Sequence, residues 1–171
     1  MESYWEVVEP IFETVDTGRG FEEFTASCKG IPRTSILLLA AHWALSEVHN
    51  GGFLQLFWNS TGILVLEAME GFYAMGLPQM AETLSDAAGQ LGDPYPRERD
   101  DRWDALLVNS GKSEEEIQEI FQKEDHLYVA FCKATSNLPF DRLDDQFLEL
   151  AETENGGFQQ AATNYANLSS K

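Results

Sequence analysis

The sequence predicts an all-α protein, a compact bundle of eight to ten helices around one core. Three observations carry this. Apolar residues recur at three- and four-residue steps in most segments. No run alternates apolar and polar residues as a half-buried strand does. Gly, Pro and Asn break the chain at intervals of about one helix length. With 171 residues, 43% hydrophobic and 12% aromatic, the chain reads as one domain over 1–171 with a real core.

The elements follow in order. Tyr4, Trp5, Val8, Ile11, Phe12 and Val15 form a helical stripe, with Pro10 placed to bend or split it. A short helix is expected from Phe21 to Cys28. The run Ile36–Leu45 is rich in Leu and Ala with one β-branched residue, which fits a buried helix. Its stop is expected at Asn50-Gly51, and helices follow over 53–59 and 63–75. Pro78 opens the next one. Gly92-Asp93-Pro94-Tyr95-Pro96 is the clearest loop. Ser113 with Glu116 matches a capping box, and Ile117, Ile120, Phe121, Leu127, Tyr128 and Phe131 form an apolar stripe behind it. Helices over 141–153 and 157–168 complete the count.

The charge is the odd feature. Asp and Glu number 29 against 11 Lys and Arg, a net charge of −18. Such a surface repels phosphates, so direct nucleic-acid binding and docking on an anionic membrane are disfavoured. A basic protein is the favoured partner. The N-terminus carries acids where a signal peptide needs a basic start and an apolar run. The uncharged stretch between Glu47 and Glu67 is interrupted by Asn50-Gly51-Gly52 and Asn59-Ser60-Thr61-Gly62, so no membrane span is expected. Cys28 and Cys132 read as free thiols of a cytoplasmic protein.

One motif recurs, with the pattern E-x-x-N-G-G-F-x-Q-x-x-x-N. Its first copy comprises Glu47, Asn50, Gly51, Gly52, Phe53, Gln55 and Asn59. Its second comprises Glu152, Asn155, Gly156, Gly157, Phe158, Gln160 and Asn164. The pattern describes a helix, a left-handed cap, a glycine hinge and a second helix whose Phe re-enters the core. Gln and Asn four residues apart share a face and can bond the hinge backbone. A packed corner and a ligand site are both compatible with it.

The run Glu47–Asn59 continues through Thr61-Gly62, Leu66-Glu67-Ala68, Met75-Gly76 and Met80-Ala81-Glu82-Thr83-Leu84. It resembles the core signature of a small bacterial family of acidic all-α DNA-mimic proteins. The resemblance implies an acidic homodimer that occupies the DNA-binding surface of a helix-turn-helix transcription regulator. Mimicry has no residue motif of its own, so the resemblance transfers no binding residue.

The acids themselves fall in rows. Glu2, Glu6, Glu9, Glu13 and Asp16 are spaced as one helical stripe. A step along it is about 5.4 Å, against about 3.4 Å between phosphates along the axis of one DNA strand. Asp141, Asp145, Glu149 and Glu152 make a second stripe, and Glu114, Glu115, Glu116 and Glu119 a third cluster. These are the candidate phosphate mimics. Solubility is the competing reading of the two stripes, and complementing the helix dipole is that of Glu114–Glu116. Glu98, Asp100, Asp101 and Asp104 are interleaved with Arg97, Arg99 and Arg102, which reads as a nearly neutral, solvated helix face.

Enzyme signatures are weak. His42 and His49 with Glu47 miss the HExxH spacing, and a core or cap role fits them better. There is no phosphate loop and no nucleophile elbow. Neither catalysis nor a cofactor or metal is expected. The leading expectation is a DNA mimic that blocks a basic helix-turn-helix regulator by competition. The alternative is an immunity- or antitoxin-like inhibitor of a basic nuclease.

Overall fold

A computed structural model describes residues 3–169, the Ser169 side chain excepted. Ten α-helices make up the described chain, joined by short 3₁₀ turns, and no strand occurs among the described residues. They are α1 (Trp5–Val8), α2 (Phe21–Ser27), α3 (Arg33–Trp58), α4 (Val65–Ala74), α5 (Pro78–Ala88), α6 (Arg99–Asn109), α7 (Glu114–Lys123), α8 (Leu127–Ala134), α9 (Phe140–Thr153) and α10 (Phe158–Ser169). The all-α expectation is met.

The long helix α3 is the axis of the fold. It packs against α1, α4, α6, α9 and α10. Ile36, Leu37, Leu38, Leu39, Ala40 and Ala41 are all buried in sequence, on every side of the helix. A helix that is apolar all round belongs at the centre. The core closes with aromatic pairs: Phe53 lies edge-on to Phe147, and Phe72 edge-on to both Phe147 and Phe158. At the periphery, α7 packs chiefly on α8 and buries none of its residues fully. Its capping box is present: Ser113 Oγ accepts from the Glu116 N–H, and the Glu116 carboxylate accepts from the Ser113 N–H.

Carboxylates from distant segments cap three helices. Glu98 accepts from the Phe21 N–H (2.9 Å) at the start of α2. Asp144 accepts from the Phe53 N–H (2.7 Å) at the kink of α3. Glu154 accepts from Gln79 and Met80 N–H (2.8 and 3.0 Å) at the start of α5. Each meets unpaired first-turn donors and the positive end of the helix dipole. Part of the acid excess therefore serves the scaffold.

Two expectations change. From residue 3 to residue 16 the chain does not form one helix with one acidic stripe, and Glu2 lies outside the described residues. The α-helix stops at Val8, a 3₁₀ turn follows over Glu9–Ile11 with Pro10 inside it, and the rotation per residue changes there. The segment from Glu98 to Asp104 is not a neutral solvated face either. Arg102 is completely buried, and its guanidinium donates to the carbonyls of Phe57, Asn59 and Arg97. Arg97 turns inward to a bidentate pair with Glu67 (2.6 and 3.0 Å). Asp100, Asp101 and Asp104 stay exposed with no ion pair among the described residues.

Candidate functional site

The first corner is a buried polar hub. Glu47 is 6% exposed, and its carboxylate accepts from Gln55 Nε2 (2.8 Å), Asn59 Nδ2 (2.8 Å) and Thr61 Oγ1 (2.7 Å). The Asn59 carbonyl in turn accepts from Arg102 Nη2 (2.8 Å). Two buried opposite charges are thus joined through one asparagine, which spreads a compensation that buried ions require. Gly51 and Gly52 break the helix (φ −169° and +74°). At Gly52 a Cβ would lie 2.2 Å from Asp144 Oδ2, so only glycine lets Asp144 reach the Phe53 N–H.

The second corner differs. Asn155, Gly156 and Gly157 all take positive φ (49°, 84° and 89°). Here the sequence-predicted left-handed cap is real, whereas Asn50 is not left-handed. Glu152 is exposed, and Gln160 bonds Asn164 (2.9 Å) instead of the glutamate. The buried carboxylate of this corner is Glu154, two residues on. Phe53 and Phe158 re-enter the core in both copies, at 0% and 4% exposure.

The candidate carboxylates separate into groups. Glu2 lies outside the described residues. Glu6, Glu9 and Glu13 are exposed around the α1–3₁₀ run. Asp16 is held by an ion pair with Arg19 and by the N–H groups of Gly18 and Arg19. The Arg19 bond, with that of the Gly18 N–H, keeps its carboxyl below the usual range. Glu116 is spent on the capping box, and Glu119 pairs with Lys123. Glu114 and Glu115 remain open to solvent.

On α9 the row is intact. Asp141, Asp145, Glu149 and Glu152 are exposed along one regular helix, and none makes an ion pair among the described residues. The one cation on α9 itself, Arg142, reaches Gln146 instead. Beside it runs α5, joined by the bond from Gln146 Nε2 to Thr83 Oγ1 (3.1 Å). The α5 helix adds exposed Glu82 and Asp86, four residues apart on one face. Sequence reasoning missed this second row. Its signal was the spacing of those two residues, but their neighbourhood to α9 is a tertiary fact.

No group of His, Cys, Asp and Glu among the described residues could hold a metal ion. His42 accepts or donates to the Tyr4 hydroxyl (3.0 Å) among Trp5, Phe12 and Trp43. Burial lowers its pKa, so the ring is neutral near pH 7. Cys28 and Cys132 are free thiols. No described helix is long and apolar enough to cross a membrane.

No curated protein and no solved structure matches the chain. A family model described as DMP19-like protein matches residues 29–166, from just before α3 to near the end of α10. The match takes in both corners, the α5–α9 pair and the helices between, and the chain belongs to the DMP19-like family of DNA-mimic proteins.

Proposed function

We propose that this protein acts by competitive occupancy. It presents carboxylates in place of phosphates to a basic helix-turn-helix transcription regulator, which then cannot hold DNA. The observation that carries this is the unpaired row on α9 with its neighbour on α5. Like charges four residues apart cost a helix roughly 0.2–0.5 kcal/mol per pair, so helix stability does not account for such rows. Their step of about 5.4 Å is of the order of phosphate spacing.

In this reading the protein is a cytoplasmic homodimer that catalyses nothing. Val108, Leu127 and Val129 are apolar side chains left exposed on α6 and α8, and they supply surface for a two-fold contact. A two-fold mimic matches a regulator dimer that reads half-sites about 34 Å apart. The free thiols fit a reducing compartment. Sedimentation giving a monomer mass at micromolar concentration would overturn the dimer.

The test is displacement of DNA from a regulator captured from the source cytoplasm. The protein should release the DNA, and its affinity should fall steeply as salt shortens screening below about 8 Å. Replacing Asp141, Asp145 and Glu149 by Lys should weaken binding more than the same change at Glu6, Glu9 and Glu13. A ternary complex with DNA, or salt-insensitive binding, would defeat the proposal. Inhibition of a basic nuclease without displacement would favour the immunity-like alternative.

A further inference from the structure

A cleft of about 450 Å³ lies between the two corners. One wall is the face of α3 that carries Ser46, His49 and Asn50, and the other is the second corner, with Glu152 and Gln159. Half-buried Leu45 contributes apolar surface, and the buried Phe158 and Ala151 border the floor. None of those five polar side chains makes a hydrogen bond or ion pair with another described residue. Tyr4 and His42, which also border the cleft, are satisfied by each other. A concave site with apolar lining and a few polar groups free to bond an occupant has the make-up of a ligand site.

The charge there is negative. Among the described residues, Glu152 is the one carboxylate on the walls and no lysine or arginine borders it. The first half of α3 ends at Gly51, so its negative end faces the cleft through His49 and Asn50. The first turn of α10 lies opposite and offsets that dipole, which leaves Glu152 uncompensated. Its counterpart Glu47 has three donors, whereas Glu152 has none. A planar fork of N–H donors suits a carboxylate flanked by amide and hydroxyl oxygens, and an apolar stem suits the half-buried Leu45.

We propose that this cleft binds a guanidinium group, with Glu152 as its carboxylate and Asn50 and Ser46 as further acceptors. The inference shares Glu152 with the α9 row, but it needs a cleft and an acceptor set that the rest of the row lacks, and the guanidinium belongs either to a free small molecule or to an arginine of a protein partner.

The test is titration of the full chain, followed by amide NMR shifts, with Nα-acetyl-arginine amide. Saturable shifts are expected at residues 46–50 and 152–159. The uncharged acetyl-citrulline amide should produce none. Glu152→Gln, at an exposed position, should keep the spectrum and weaken binding about tenfold or more, since a charge-assisted bond is lost. Free arginine and an arginine-bearing pentapeptide separate the two sources. Binding by the peptide assigns a partner's side chain, and binding by free arginine alone assigns a small molecule. Absence of saturable shifts, equal binding of citrulline, inorganic phosphate moving the same residues, or an unaffected Glu152→Gln variant would each overturn the proposal. DNA displacement is read separately on the Asp141, Asp145 and Glu149 variants, which keep Glu152, so the two readings fail independently.

Discussion

The two Asn-Gly-Gly-Phe corners share seven of thirteen residues and do different work. In the first, the glutamate is buried and saturated by Gln55, Asn59 and Thr61. In the second it is exposed, and Gln160 and Asn164 bond each other. The hinge also differs: Asn50 stays out of the left-handed region while Asn155 enters it. The difference comes from what packs outside the motif. Thr61 and the buried Arg102 stand beside the first corner and Asp144 caps its Phe, while the second faces an open cleft. A local pattern sets what a corner is able to do, and its surroundings choose.

The largest expected effect tests what the corners share. Phe53→Ala and Phe158→Ala should each cost about 3–5 kcal/mol, read as denaturant midpoints at unchanged slope. A large gap between the two would show that only one corner anchors the core.

The next tests what they do not share. Glu47→Ala strands three donors and should cost about 3 kcal/mol, while Glu152→Ala should stay within about 0.5 kcal/mol. At ~2–4 °C per kcal/mol for a chain of this size, thermal melts resolve the contrast. Equal losses would erase it.

A smaller difference is expected at the hinges. Gly52→Ala forces a side chain onto Asp144 at positive φ and should cost about 2–3 kcal/mol. At Gly156 the nearest foreign atom to a Cβ is Gln160 Cγ at 3.8 Å, so only the backbone strain remains. That variant should lose about 1–2 kcal/mol.

The smallest effect is the pH dependence of Asp144, which only the first corner uses. Burial pushes its carboxyl above the usual range, opposed by the Phe53 N–H and reinforced by Asp141 and Asp145. A raised native value means stability that is present below the unfolded value, about 3.9, and lost as pH rises through the native one. Stability of the native chain relative to Asp144→Asn should therefore fall as pH rises from that point. Parallel curves in urea midpoints across pH would contradict this.

Several features were legible in the chain because their causes are local. The capping box at Ser113, proline opening α5 and the break at Asn50-Gly51-Gly52 each depend on neighbours within four residues. The α9 row was legible for the same reason, since exposure follows from helical period. The N-terminal stripe was not, because Pro10 shifts the chain into a 3₁₀ turn. Arg102 was misread because its acidic neighbours suggest solvent, although it shares a face with Leu106. The caps by Glu98, Asp144 and Glu154 join residues 77, 91 and 75 positions apart, and no local spacing announces them.

Composition and periodicity thus decided that the chain is helical, acidic and folded around an apolar α3, because those properties follow from each residue's own solvation and backbone preference. Packing decided which carboxylates are free. Glu47, Glu67 and Glu154 are buried, Glu98, Asp144 and Glu154 cap helices, and Asp141, Asp145 and Glu149 face solvent. The same side chain is scaffold or surface according to whether a donor from a distant segment reaches it. That depends on the whole fold, since desolvating a carboxylate is tolerated only where such donors converge.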